Sequence, residues 1–202
     1  MPRTRTPTTP MQWIGLGMVI IVGNAFFPAE AHPAWKHYDA LPDPIGWVVV
    51  VWGLFSLAKI TGDVLDTAKW VGVLALLTSV PMWLPQLNHQ LNASGEWGAS
   101  MPQTVCCLLT ARGIGMLGAR RTPRDQYVAK RFGLLSWGFG IMIVLPVLAL
   151  GGGVKALENP TVAVSALINI VFIWFCFSVH RRPYLGGPGP RLIEPATRST
   201  KT

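Results

Sequence analysis

The chain is poor in charged residues: only 13% of its 202 residues are Asp, Glu, Lys or Arg, whereas 50% are hydrophobic. A soluble domain carries about 25% charged residues, so this deficit excludes an ordinary soluble protein. The apolar residues lie in long runs, which is typical of membrane proteins. The formal net charge is +8, but the basic residues cluster at the ends of those runs rather than on one face. We therefore expect no nucleic-acid partner.

Cysteines and catalytic motifs are equally scarce. The three cysteines, Cys106, Cys107 and Cys176, all lie inside apolar runs, which excludes a disulfide scaffold and predicts small buried side chains. The chain contains neither a G-x-S-x-G nor an H-E-x-x-H motif, and its loops of about 16 residues or fewer leave little room for a soluble active site. The sequence predicts a protein that is not an enzyme and holds no cofactor.

Six apolar segments are candidates for membrane-spanning helices, for which about 20 residues are needed. They occupy residues 11–27, 45–60, 64–84, 101–118, 132–150 and 161–179. The fourth segment is the least apolar, yet the basic loop that follows it requires an odd number of crossings after the preceding external loop. The sequence predicts an all-α, polytopic transmembrane helix bundle over residues 11–182. Disordered tails are predicted at residues 1–10 and 183–202.

Basic residues set the predicted orientation, because cationic loops stay on the cytoplasmic side during insertion. The loop within residues 118–131 contains five of them: Arg120, Arg121, Arg124, Lys130 and Arg131. With six spans, 14 of the 17 Lys and Arg residues lie on the cytoplasmic side and only Lys36 and Lys155 lie outside. Both termini are therefore predicted to be cytoplasmic. We also expect the basic loop to contact anionic lipid headgroups.

The first apolar segment has an alternative interpretation. A basic start, an apolar run and the small residues Ala29 and Ala31 also match a cleaved secretory signal peptide over Met11–Ala31. The run is long for a signal peptide, so an uncleaved first span is favoured. Both interpretations leave residue 32 outside, and the remaining topology is unchanged.

Arg112 is the residue that most directly suggests a function, because a charged group within a span is costly and often functional. If Arg112 and Asn169 faced a water-accessible cavity, the protein would be a small transporter or channel. The competing interpretation is that Arg112 lies in the inner half of its span and extends toward the headgroups. No Asp, Glu or Lys lies in the middle of any predicted span, which argues against a proton-coupled carrier.

Small residues are concentrated in the fourth segment. Gly113, Gly115 and Gly118 match the G-x-G-x-x-G pattern, but the strand and helix of a dinucleotide-binding unit are absent around it. Ala111 and Gly115 instead form a small-xxx-small pair, which predicts close helix packing. The leading functional prediction is a non-enzymatic accessory subunit or self-associating bundle, with a second copy or another membrane protein as partner.

Three histidines supply a further alternative. His32 and His37 share an outer loop with several carboxylates, and His89 lies on the same predicted side. Imidazole and carboxylate groups bind metals and imidazole titrates near neutral pH, so an extracytoplasmic metal or pH sensor is conceivable. Because the spacing matches no closed metal site, no metal is predicted.

The stretch Asp43-Pro-Ile-Gly-Trp47, which runs on to Leu54, resembles a pattern in small polytopic membrane proteins of bacteria that have no assigned activity. In that group a D-P-x-G turn opens a span that ends in a Gly-Leu pair. The resemblance implies a multi-pass protein of a bacterial plasma (inner) membrane, and it implies no activity or site residues.

Overall fold

The computed structural model describes residues 8–23, 41–84, 91, 93–148 and 158–189, and within these ranges all regular structure is helical. The α-helices of this part of the chain are α1 (Pro10–Val22), α2 (Asp43–Thr61), α3 (Asp66–Trp83), α4 (Ala93–Arg120), α5 (Gln126–Pro146) and α6 (Glu158–Val179). Short 3-10 helices lie at Gly62–Leu65 and Pro183–Leu185. The prediction of an all-α fold is confirmed.

Consecutive helices run antiparallel. Gly17 of α1 lies against Gly46 of α2 while Ile14 lies against Gly53, so residue numbers rise along one helix as they fall along the other. Each later helix packs on the preceding one, and α6 also packs on α1. The six described helices therefore close into a ring with alternating directions.

Local sequence explains where several helices begin and end. Thr9 caps α1 through a capping box in which its hydroxyl accepts from the Gln12 N–H and the Gln12 side chain accepts from the Thr9 N–H. Asp125 caps α5 by accepting from the Val128 N–H at 3.2 Å. Gly62 ends α2 at a positive φ of 68°, which a residue with a side chain adopts only with strain. That turn reverses the chain into α3.

Within the described residues, three helical stretches rather than six are long and apolar enough to cross a membrane. They are Asp43–Trp83, Gln126–Pro146 and Asn159–Val179. The first stretch contains both α2 and α3, which turn back on each other after Gly62. Helix α1 is apolar but has only 13 residues, and α4 carries Pro102 and Arg112 within its length.

The helix boundaries differ from the predicted segments. Helix α4 begins at Ala93, within the stretch predicted as an external loop, and α5 begins at Gln126 rather than at residue 132. Both differences arise because polar residues continue the helix beyond the apolar run, so hydropathy marks only the apolar part. Helix α1 ends at Val22, whereas the first segment was predicted to reach residue 27, and residues 24–27 lie outside the described part of the chain.

The predicted disorder of residues 183–202 is wrong for residues 183–189. This segment folds back on the bundle, where Leu185 is fully buried and Gly186 adopts the left-handed φ of 80°. A Cβ atom on Gly186 would lie 2.7 Å from Cδ1 of Ile60, so the segment needs glycine at this position. Because the segment is rich in Gly and Pro, its composition predicted disorder and did not indicate that Leu185 packs against the bundle. Residues 190–202 lie outside the described ranges.

Candidate functional site

The two ends of the bundle carry opposite charge. One end, the basic end, holds these described cations: Lys59, Lys69, Arg120, Arg121, Arg124, Lys130, Arg131, Arg181 and Arg182. The other end, the acidic end, holds Asp43 and Glu96, and no Lys or Arg occurs there among the described residues. The antiparallel ring thus collects at one end cations that are distant in sequence.

A cavity of about 420 Å³ lies in the half of the bundle next to the acidic end. This volume is within the range of about 300–1,000 Å³ that is usual for small-molecule sites. Five uncharged polar side chains contribute to its lining: Gln103, Thr104, Thr161, Ser165 and Asn169. Its main apolar lining residues are Met18, Trp47, Cys107, Phe139 and Met142. Among the described residues, no Asp, Glu, Lys or Arg lines it, so the described lining suits an uncharged molecule.

Hydrogen bonds within helices position part of the polar lining. The Asn169 Nδ2 group donates to the Ser165 carbonyl oxygen at 2.9 Å, one turn earlier in α6. Thr104 Oγ1 donates to the Ser100 carbonyl oxygen at 3.5 Å, one turn earlier in α4. These bonds restrict both side chains to defined orientations, which favours a preorganised site.

Trp47 is the most informative residue of the lining. Its side chain is only 1% exposed, and its indole Nε1 has no hydrogen-bond partner in the described structure. A buried donor without a partner costs about 1–3 kcal/mol. An acceptor atom on a bound molecule would remove that cost if it reached the indole N–H. Trp47 therefore places one buried, unpaired donor in the wall of the cavity.

Packed apolar side chains fill the bundle between the cavity and the basic end. The rings of Phe172 and Phe139 pack edge to face with centroids 5.4 Å apart, and Phe132, nearer the basic end on α5, also packs on Phe172 with centroids 6.4 Å apart. Ile114 and Leu57 are fully buried in the core of the bundle. In this conformation the cavity is a pocket with a closed floor.

The structure separates the two residues predicted to form a transport pathway. Asn169 lines the cavity, whereas Arg112 is exposed on α4 and is absent from the lining. Sequence reasoning did not select Trp47 or Gln103 as site residues. Trp47 had the features of an aromatic residue near the membrane interface, and an unsatisfied N–H cannot be recognised without the surrounding atoms.

The small residues of α4 contact helices of the same chain. Ala111 is fully buried, and Gly113 lies against Leu65 at the turn before α3. A Cβ on Gly115 would lie 3.3 Å from the Gly133 nitrogen, and one on Gly118 would lie 3.0 Å from the Ala129 nitrogen. Small residues thus let α4 and α5 approach closely at the backbone.

At the basic end Asp125 connects several elements. Arg182 Nε lies 3.2 Å from Asp125 Oδ2, and the Tyr184 hydroxyl donates to the same oxygen at 2.9 Å. The guanidinium carbon of Arg121 lies 4.9 Å from the centre of the Tyr184 ring. Burial raises the pKa of Tyr184, and the hydrogen bond to Asp125 and its negative charge raise it further. Arg182 and Arg121 oppose this rise.

The described residues contain no group of three or more His, Cys, Asp or Glu side chains that could hold a metal ion. The histidines of the sensor hypothesis, His32, His37 and His89, lie outside the described ranges. That hypothesis therefore stays a prediction.

Comparison of this chain with protein-family models, curated proteins and solved structures finds no match.

Proposed function

We propose that the chain is a multi-pass membrane protein with six spans, the basic end in the cytoplasm and both termini on that side. The charge difference between the ends supports this orientation, because cationic loops are retained on the cytoplasmic side. Helix α4 has 28 residues and is therefore about 42 Å long, enough to cross a core of about 30 Å despite its polar residues. The resemblance at Asp43–Leu54 adds the plasma membrane of a bacterium as the location.

We further propose that the protein is not an enzyme and that it binds a small uncharged molecule in its cavity, as a small carrier would. The observation that carries this proposal is a buried, unpaired indole N–H on Trp47, a residue that lines the same cavity as the polar side chains of Gln103, Ser165 and Asn169. An amphiphilic molecule with a hydrogen-bond acceptor fits both the apolar and the polar lining.

The closed floor of the cavity favours a carrier over an open channel. Passage to the basic end would require Phe132, Phe139 and Phe172 to move, since these rings fill the path. Arg112 has no part in this proposal, because its side chain lies on the outside of α4. The carrier proposed here therefore uses Asn169 without Arg112.

Two neighbouring cysteines allow a direct test. Cys107 lines the cavity with its sulfur 3.9 Å from the Met18 sulfur, whereas the Cys106 sulfur lies 3.5 Å from the Ala68 carbonyl oxygen at the α3 contact. Two single-cysteine proteins, C106A/C176A and C107A/C176A, are reconstituted in liposomes and treated with N-ethylmaleimide. We expect Cys107 to be modified and Cys106 to remain unmodified.

A panel of small uncharged aromatic alcohols and amides is then screened for protection of Cys107. Protection that is weakened by Trp47→Phe, which removes only the N–H, supports binding in the cavity. Equal modification of Cys106 and Cys107 would contradict selective access through the cavity, and the accessory or self-associating bundle would then be the better proposal. The small residues of α4 do not favour that alternative, since they contact the chain's own helices.

A further inference from the structure

A second cavity lies on the outer surface, in a groove between α5 and α6, with a volume of about 280 Å³. Six apolar residues form most of it: Leu134, Leu135, Gly138, Ile141, Ile168 and Val171. Leu134 and Ile141 are exposed at its edge, whereas Leu135 is buried in its floor. The groove and the cavity that contains Trp47 and Asn169 share no lining residue in the described part of the chain.

The dimensions of the groove match one leaflet of a bilayer. It extends along α5 from Arg131 to Ile141, a rise of about 15 Å at 1.5 Å per residue. The hydrocarbon core of a membrane is about 30 Å thick, so one leaflet contributes about 15 Å. With the basic end at the cytoplasmic surface, the groove runs from the inner headgroup layer to the bilayer centre.

Arg131 lies at the end of the groove that faces the headgroups. Its guanidinium carbon is 5.7 Å from the centre of the Tyr127 ring and 5.8 Å from that of Phe175. The hydroxyls of Tyr127 and Ser178 are 3.3 Å apart, and this hydrogen bond fixes the Tyr127 ring. The two rings therefore hold the cation in position at the mouth of the groove.

The charge of Arg131 has no acidic partner in the described structure. The described ion pairs are Lys69 with Asp66 and Arg182 with Asp125. Asp125, the acid between α4 and α5, is thus already paired with Arg182. A fixed guanidinium without a carboxylate is suited to a phosphate oxygen, which it contacts through two parallel N–H groups.

We propose that the groove binds one acidic glycerophospholipid of the inner leaflet, with an acyl chain along α5 and α6 and its phosphate on Arg131. In this proposal the apolar groove binds the acyl chain, and the Arg131 guanidinium, held against two aromatic rings, binds the negatively charged headgroup. The proposal rests on the proposed membrane orientation but not on ligand binding in the Trp47 cavity. A lipid held in this way would stabilise the contact between α5 and α6.

The test uses the full-length protein in nanodiscs that contain equal amounts of palmitoyl-oleoyl phosphatidylcholine and phosphatidylglycerol. Native mass spectrometry measures how much of each lipid the released protein retains. We expect one preferentially retained phosphatidylglycerol, and we expect R131Q to lower that preference about fivefold, the effect of one cation near an anionic surface. Arg131→Lys keeps the charge but loses the bidentate hydrogen bonding of the guanidinium, and we expect a preference for phosphatidylglycerol between those of the native protein and R131Q.

R124Q is the matched control, because it removes an equal charge from an exposed residue of the same end that does not line the groove. Val171→Trp fills the floor without changing the charge, and we expect it to lower retention of both lipids. Equal losses in R124Q and R131Q would overturn the proposal in favour of general surface attraction. Unchanged retention in Val171→Trp would overturn the acyl-chain site.

Two further outcomes separate the lipid from other occupants. Millimolar inorganic phosphate should leave the bound phosphatidylglycerol in place, and its complete displacement would mean that the site binds phosphate alone. A dimer that retains no lipid and dissociates in Val171→Trp would mean that a second copy of the chain occupies the groove. Circular dichroism of each variant verifies that the helices are retained.

Discussion

The Tyr184 hydroxyl donates a hydrogen bond to Asp125 Oδ2 at 2.9 Å, between residues 59 positions apart in the chain. The same carboxylate pairs with Arg182 and accepts from the Val128 N–H. One side chain therefore begins α5 and also holds the segment that follows α6. Because Leu185 in the same segment is fully buried, this segment is part of the folded bundle.

Replacing Asp125 by alanine should destabilise the protein by about 2.5 kcal/mol, because the helix cap is worth about 1 kcal/mol and a hydrogen bond to a charged group about 1.5 kcal/mol. Thermal unfolding in detergent measures the change. The matched control is Asp63→Ala, since Asp63 is an exposed acid at the same end. Equal midpoints for the two variants would contradict the connecting role of Asp125.

Replacing Tyr184 by phenylalanine should alter the dependence of stability on alkaline pH. The pKa of Tyr184 is raised in the folded protein by burial and by Asp125, so the folded state binds the phenolic proton more tightly than the unfolded state does. This contribution is complete below the unfolded pKa of about 10 and is lost as pH rises above it. Unfolding midpoints between pH 8 and 11 should therefore fall more steeply for the native protein than for Tyr184→Phe, and parallel curves would contradict the prediction.

Gly17→Ala should push α1 away from α2 and lower the stability of the protein. A Cβ at Gly17 would lie 2.5 Å from the Gly46 carbonyl oxygen and 2.8 Å from the Val50 nitrogen, and backbone atoms cannot rotate away. We expect a loss of about 1–3 kcal/mol, the usual cost of overpacking. Gly133→Ala is the control, because its Cβ would meet nothing within 4 Å. Thermal midpoints should fall for the first variant and stay level or rise for the second.

Asn169→Leu and Arg112→Ala should affect the cavity differently. The first removes a hydrogen-bonding group from the lining, so we expect at least a tenfold weaker protection of Cys107 by the best compound, which corresponds to about 1.4 kcal/mol. The second alters a side chain on the outside of α4, and protection should be unchanged. A large effect of Arg112→Ala would mean that this residue reaches the solute pathway in another conformation.

Reporter fusions test the orientation. A fusion after Leu91, between α3 and α4, should report an external position, and a fusion after Arg124, between α4 and α5, should report a cytoplasmic one. The difference requires that α4 crosses the membrane despite Arg112. Cytoplasmic signals at both positions would show that α4 does not cross, and the six-span proposal would fail.

Much of the fold was predictable because hydropathy and helix formation are local properties. Each predicted apolar segment overlaps one of the described helices, although polar residues extend α4 to Ala93 and α5 to Gln126. The sequence did not predict that residues 183–189 fold onto the bundle. Their position depends on the burial of Leu185 and on the hydrogen bond from Tyr184 to Asp125, which is distant in the chain. Hydropathy averaged over a segment is insensitive to single anchors of this kind.

The candidate site was much less predictable. Asn169 was selected from sequence and lines the cavity, but Arg112, selected with it, points elsewhere. A single polar residue in an apolar run has no known partner until the helices are arranged. Trp47 could not be selected from sequence, because whether its indole N–H finds a hydrogen-bond partner depends on atoms that other helices contribute.

The sequence by itself determined the helical class and the alternation of charge between successive loops, because both depend on composition over one helix length. Tertiary structure decided which side chains meet. Trp47, Gln103 and Asn169 come from three helices, and their convergence depends on how each helix is rotated about its axis. That rotation is set by close contacts such as Gly17 with Gly46, which involve residues far apart in the chain and have no local signature.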